Sequence, residues 1–249
     1  MVKTVFIQKQ DGQFAMDYTF CAYDGFQFRG LLNYVFFEHI DEVPVRRNNM
    51  VVGFVEDTRV FFKRLKIQEP TPMGIPKTLE PMVKRKHKVV TLKEFYEVDM
   101  CPIFAKPYSL LKGCSSGVIN RDSSKRFVMS DAPQNDDFLL FTSDVVDIKD
   151  EFRCFIHNGK VVDVRHYNIG NGMNFPDPKY INDCVDLMNG ALDTPCAYSL
   201  DVMVLADGTT ELVECNDCWS LGSYGLDGEI YAKMLLDRWN EILRQNPII

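Results

Sequence analysis

The 249-residue chain lacks several signals that would fix its class at once. No apolar run approaches the length of a membrane-spanning helix, and the opening residues, MVKTVFIQKQDG, lack the apolar core expected of a secretory leader. Basic charge is not in excess: 28 Lys and Arg against 35 Asp and Glu leave a net charge of −7. That balance argues against a broad nucleic-acid or anionic-membrane surface, since those partners favour basic faces. Neither GxxxxGK[ST] nor GxGxxG occurs, so the two commonest phosphate-cradling loops are excluded. Eight cysteines are present but scattered. Cys215 and Cys218 form a CxxC with no second pair and no suitably spaced histidine, which argues against a zinc or redox role. Most cysteines sit among apolar residues, as buried thiols do in reduced proteins, so the cytoplasm is the expected compartment. Internal repeats and low-complexity tracts are absent as well.

What is present is an ordinary globular balance, 46% hydrophobic and 25% charged, long enough for one large domain or two small ones. Residues 1–95 alternate short apolar runs (51–55, 60–62) with charge clusters, which suggests small strands and helices. Pro70, Pro72, Pro76 and Pro81 mark an exposed connection. The basic run 84–88 that follows reads as a solvated face in preference to a phosphate patch. Beyond Met100 the pattern sharpens. Strands are predicted at 103–106, 118–119, 126–129 and 138–146, with a small-residue loop at 112–117. A hairpin follows, 151–157 and 160–167 about Asn158-Gly159; then a helix at 180–191; then a second hairpin, 198–205 and 209–216 about Asp207-Gly208. A closing helix over 227–245 carries the apolar stripe Ile230, Met234, Leu235, Trp239, Ile242 and Leu243. The fold class is α+β with antiparallel hairpins.

The second hairpin carries the strongest chemical signal. If Asp207-Gly208 is a two-residue turn, Met203 faces Leu212 and Asp201 faces Glu214, with Asn216 on the same side. Facing carboxylates repel, and a fold tolerates them by exposure, by a raised pKa, or by a cation between them. The neighbours Leu200, Val202, Leu212, Val213 and Cys215 make these strands central, and two carboxylates with an amide oxygen suit Mg²⁺. The first hairpin carries Arg153 and Arg165. With a tight Asn158-Gly159 turn they point to opposite faces; with a three-residue loop, 158–160, they face each other, an arrangement that calls for anions. Lys106 ends a strand and Lys112 opens the small-residue loop, where ammonium groups beside backbone N–H groups could cradle phosphate.

In order, these pieces resemble the ATP-grasp family. IFAKPYSLLKGCSSGVI resembles its small nucleotide-clamping subdomain, FLLFTSDVVDIKDEFRCFI its adenine-holding hinge and arginine strand, and YSLDVMVLADGTTELVECNDCWSLGSYG its metal-binding core. EFRCFI…GKVVDVRHY and ECNDCWSLGSYG look closest to a subgroup with paired arginines and a lysine in its active site. The resemblance implies two α+β subdomains clamping ATP, at 96–145 and 146–249, after a small α/β pre-grasp region, 1–95. It implies phosphate contacts at Lys106 and Lys112, adenine contacts at Ser143, Asp144, Val145 and Val146, and a ribose contact at Asp150 or Asp144. Mg²⁺ falls to Asp201, Glu214 and Asn216, and Arg153, Arg165 and Lys106 become the catalytic cations. Trp219 and Tyr224, which otherwise read as core aromatics, would flank the acceptor pocket. The implied activity joins a small-molecule or peptide carboxylate to an amine through an acylphosphate. Phosphorylation of a hydroxyl, or silent nucleotide binding, are the alternatives. Cys114 and the scarcity of glycine in the lid loop depart from the family's usual pattern.

Overall fold

A computed structural model describes residues 1–30, 33–97, 101–108, 116–120 and 135–247. The strand predicted at 126–129 and most of the loop at 112–117, Lys112 and Cys114 included, lie outside these residues.

Three sheets follow one another along the chain. The first holds β1 (Thr4–Gln10), β2 (Gln13–Phe14), β3 (Asn33–Phe37) and β4 (Asn49–Val52). Central β1 runs parallel to β3 and β4 and antiparallel to β2. Helices α1 (Asp17–Arg29) and α2 (Val55–Arg64) follow β2 and β4. A parallel strand is covered on both faces, and β4 is buried at every position. Part of that cover comes from the far end of the sequence. The closing helix, α5 (Gly228–Gln245), is N-capped by Asp227 and packs on α1. Its Trp239 stacks on Phe62 at 4.9 Å between ring centroids. The helices meet at Gly25 and Gly228, where a Cβ on Gly25 would stand 1.8 Å from the Gly228 carbonyl oxygen. The predicted stripe holds: Met234, Leu235, Trp239, Ile242 and Leu243 are buried in this core, with Ile230 at its edge.

The second sheet is antiparallel, in the order β5 (His87–Thr91), β8 (Leu139–Ser143), β6 (Ile103–Pro107), β7 (Gly117–Ile119). Helix α3 (Leu92–Glu97) supplies Leu92 and Phe95 to its small core. Because β5 pairs with β8 along its length, this sheet begins well ahead of residue 96. The expected boundary was late because the basic run 84–88 masks the start of a half-exposed strand.

The third sheet, again antiparallel, has the order β10 (Lys160–His166), β9 (Ile148–His157), β11 (Ala197–Leu205), β12 (Thr210–Asp217). One face is apolar, with Cys154, Ile156, Tyr198, Leu200, Val202 and Leu212, and α4 (Pro178–Asn189) covers it with Ile181, Cys184, Val185 and Met188. The other face carries Arg153, Asp201 and Glu214, the last of which Lys106 of the second sheet reaches, and Phe155 and Ala197, which join the first core. Cys215 is buried in this core and Cys218 in the first, so the CxxC pair is divided between two apolar interiors.

Candidate active site

The polar face of the third sheet is set by two bulges. In the first hairpin His157 pairs with Lys160, leaving Asn158-Gly159 as a two-residue turn with both φ values positive, 49° and 71°. That turn alone would part the arginines. A bulge at Val162 adds one residue to β10, and Arg165 comes to lie opposite Arg153. In the second hairpin the expected turn is corrected. Leu205 N donates to Thr209 O at 2.9 Å, so three residues form the loop, and Met203 faces Glu211, not Leu212. A bulge at Val213 then restores the register, and Glu214 lies opposite Asp201. Since Asp201 also pairs with Arg153 across β9 and β11, one row crosses all four strands: Arg165, Arg153, Asp201, Glu214. At ordinary strand spacing the row is about 14 Å long. Two cations stand beside two anions.

Each member has an opposite charge. Arg153 Nε and Nη2 donate to Asp201 Oδ1 and Oδ2 at 2.8 and 2.7 Å, a bidentate pair sealed from solvent. The rings of Tyr167 and Tyr224 lie 4.4 and 4.8 Å from the Arg153 guanidinium. Tyr224 holds a positive φ of 45°, an uncommon backbone conformation for an aromatic residue. Asn216 Nδ2 bridges the carboxylates, 3.0 Å from Asp201 Oδ2 and 3.1 Å from Glu214 Oε1. Lys106, on β6 of the second sheet, reaches across to ion-pair with the remaining oxygen of Glu214. Arg165 is more open and pairs with Asp163 at 2.6 Å.

Burial drives the Asp201 carboxyl up, with Glu214 acting in the same sense, against the pull of Arg153. Burial also acts on Glu214, but Lys106 outweighs it and holds the Glu214 carboxyl below its ordinary value. Glu151, two residues before Arg153 on the same face, is raised by burial and by Asp201.

Asp201, Glu214 and Asn216 therefore place two carboxylates and an amide at neighbouring positions of one face, a hard-oxygen set that fits Mg²⁺. Among the described residues no group of three or more His, Cys, Asp or Glu is placed to hold a metal ion, and the set here is two carboxylates and one amide.

At the foot of β8, Ser143 is buried and its hydroxyl donates to Asp144 O at 3.2 Å, while Asp144 N donates to Lys86 O at 2.9 Å. The backbone groups of Val145 and Val146 make no hydrogen bond to another described residue. Asp144 is exposed, but Asp150 is enclosed. The Asp150 carboxylate accepts from Gly172 N at 2.5 Å, Asn174 N at 2.9 Å and Asn174 Nδ2 at 2.6 Å. Burial pulls its pKa up, but these donors prevail and hold it at about 2. Its oxygens fasten the 169–174 loop, so the expected ribose contact at Asp150 is corrected: only Asp144 keeps a carboxylate free to meet a ligand.

Residues 83–234, more than half of the chain, match the model of the ATP-grasp domain, R₂K clade family 2. The chain belongs to that family. No curated protein matches its sequence. Among solved structures, this ATP-grasp chain is similar to a RimK domain protein from Sphaerobacter thermophilus, with a TM-score of 0.59 and 12% identity over 94% of this chain and 100% of that one. It is also similar to D-alanine–D-alanine ligase from Bacillus anthracis, with a TM-score of 0.57 and 12% identity over 99% of this chain and 100% of that one. A third similar structure is the L-amino acid ligase from Bacillus licheniformis, with a TM-score of 0.57 and 14% identity over 96% of this chain and 75% of that one. At such identities the likeness establishes the ATP-grasp fold.

Within this ATP-grasp cleft the structure brings Lys106, Arg153, Asp201, Glu214 and Asn216 into one connected network, with Arg165 at the end of the row. Ser143 to Val146 lie where the second sheet passes into the third. Sequence reasoning missed Tyr167 and Arg85. Tyr167 was within reach, since it stands two residues beyond Arg165 and strand alternation puts both on one face. Arg85 gave no signal in a run of cations, yet it is buried against Glu211 at 2.8 Å. Trp219 lies in the apolar interior, as its core reading anticipated, whereas Tyr224 borders Arg153.

Proposed function

We propose that this ATP-grasp protein is an ATP- and Mg²⁺-dependent carboxylate–amine ligase that acts through an acylphosphate. The observation that carries the reading is the Arg165–Arg153–Asp201–Glu214 row, closed by Lys106 from the facing sheet. A metal–phosphate complex presents both signs of charge, and this row offers both in adjacent positions. Asp201, Glu214 and Asn216 would hold Mg²⁺, which supplies charge neutralisation to the β- and γ-phosphates when bound. The ATP-grasp ligases of similar fold, which by their names join D-alanine to D-alanine or act on L-amino acids, support a small-molecule or peptide carboxylate and an amine as substrates.

In this scheme the cleft between the second and third sheets takes ATP. Ser143 to Val146 present backbone groups to the adenine edge, and Asp144 receives the ribose hydroxyls. Lys106 and Lys112 bind phosphate, leaving Arg153 and Arg165 to receive the γ-phosphoryl group and the substrate carboxylate. A carboxylate oxygen attacks the γ-phosphorus, the bond to ADP breaks, and the cations stabilise the charge that spreads over the equatorial oxygens. The amine nitrogen then attacks the acyl carbon, phosphate leaves, and the nitrogen gives up a proton to water or phosphate. No protein nucleophile is required; position and charge do the chemistry.

The test offers carboxylates and amines in pairs with ATP and Mg²⁺, and follows ADP together with the condensed product by mass spectrometry. Sustained ADP release that needs both partners supports the ligase. Sustained release with a hydroxyl compound alone, yielding its phosphate ester, would replace it with a kinase.

A further inference from the structure

The basic run 84–88 contains one cation that does not face water. The Arg85 side chain is only 6% exposed, and it crosses from the start of the second sheet to β12 of the third. Its Nη1 donates to Glu211 Oε1 at 2.8 Å and to Leu212 O at 2.6 Å, and Nη2 reaches Val213 O at 3.4 Å. Glu211 Oε1 also accepts the backbone N–H groups of Lys84 and Arg85, at 3.1 and 3.0 Å.

Leu212 and Val213 are the residues of the β12 bulge. A bulge disrupts the ladder and leaves backbone groups without a strand partner. On its outer side β12 meets a short bridge, in which Cys215 N donates to Gly74 O at 2.6 Å, and the Arg85 fork. The bulge matters because side chains alternate. If the pairing near the turn, Met203 with Glu211 and Val202 with Leu212, continued without it, Val213 would oppose Asp201. Glu214 would then turn to the apolar face, toward α4. The place of Glu214 in the charged row thus rests on one extra residue, and the carbonyls of that residue and its neighbour rest on Arg85.

We propose that Arg85 is a positioning residue for the metal-binding pair Asp201 and Glu214, acting through the bulge and touching neither nucleotide nor substrate; this rests on the ligase reading of the same site. Arg85 then governs the part of nucleotide affinity that depends on the divalent cation and does not weaken the metal-free part. A residue that contacts phosphate, or one that merely stabilises the fold, would affect both parts.

The experiment measures binding of a non-hydrolysable ATP analogue with and without Mg²⁺, for the wild type, Arg85→Met and Arg85→Lys. In Arg85→Met the gain in affinity brought by Mg²⁺ falls about tenfold or more, as expected when a group supporting a metal ligand is removed. Affinity in the presence of a chelator does not fall below the wild-type value. Arg85→Lys, which keeps the charge but not the fork, shows a smaller loss in the same sense and covers the case in which Arg85→Met fails to fold. Deleting Val213 in the Arg85→Met background restores the Mg²⁺ gain, because a ladder without the extra residue keeps Glu214 opposite Asp201 unaided. An undiminished Mg²⁺ gain, an equal loss of metal-free affinity, or failure of the deletion to rescue would overturn the proposal. A wild-type protein with no Mg²⁺ gain at all would overturn the ligase reading instead.

Discussion

The paired charges of the site predict that ATP and Mg²⁺ bind as a couple. In the structure Arg153 occupies both oxygens of Asp201, and Lys106 and Asn216 occupy those of Glu214. Mg²⁺ alone would have to take Asp201 from Arg153 and leave a buried guanidinium unpaired. Breaking a buried pair in this way costs about 3–5 kcal/mol. Nucleotide alone would have to take the cations and strand two facing carboxylates. Together the ligands exchange partners: phosphate takes the cations, metal takes the carboxylates, and no charge is stranded. A penalty of about 3 kcal/mol avoided is a coupling of more than about 100-fold in affinity. The assay is thermal stability with an ATP analogue, with Mg²⁺, and with both. At 100 times the dissociation constant, ligand stabilises the native state by about 2.7 kcal/mol. For a chain of this size that raises Tm by roughly 5–10 °C. Each ligand alone, at the same concentration, should shift Tm by less than about 2 °C. Separate shifts that simply add up to the joint one would refute the exchange of partners.

Asp201→Asn leaves Arg153 enclosed without its counter-charge and should cost about 3–5 kcal/mol in denaturant unfolding; a loss below about 1 kcal/mol would show that the pair is dispensable. The Asp150 carboxyl is depressed in the folded protein, so the stability it contributes is present above its ordinary value of 3.8 and is lost as pH falls through about 2. The difference in melting temperature between wild type and Asp150→Asn should therefore shrink on acidification from pH 5 towards about 2; a difference that widens would reverse the assignment. Gly25→Ala places a Cβ against the Gly228 carbonyl, where 1.8 Å is available, and should destabilise the first core by about 1–3 kcal/mol or more by calorimetry. An unchanged melting temperature would mean that α1 and α5 separate without cost.

Much of the site was legible because charge on a central strand demands a reason. Asp201 opposite Glu214 could be found from the turn and the alternation of side chains. It was found through two errors that cancel: the loop has one residue more than assumed, and the Val213 bulge makes up the difference. The paired arginines show the same effect, since the Val162 bulge joins a tight turn to a facing pair that the turn alone forbids. Bulges leave little trace in a single sequence. Val162 and Val213 look like any other strand valine, and Arg85, which donates to the carbonyls at the second bulge, lies far off in the sequence. The closing helix was clear from its 3.6-residue stripe, but its partner was not, because the glycines that let it approach α1 lie about two hundred residues apart. Asp150 was mistaken for a ligand group because an enclosed loop anchor and an exposed ribose acceptor are spelled with the same letter.

The place of α5 has a consequence for synthesis on the ribosome. Phe26, Phe61 and Phe62 emerge well before Tyr231, Met234, Leu235, Trp239 and Ile242, which complete the same apolar interior. At ordinary elongation rates the gap lasts on the order of ten to thirty seconds. Through that interval the nascent first sheet has an open side that α5 has yet to close. The small core of the second sheet, drawn from Leu92 to Leu140, can settle as it emerges, whereas that of the third gathers residues from Leu79 to Cys215. The first sheet is thus made ahead of the second yet completes its core after it, and the stretch in between is where holdase chaperones would find it.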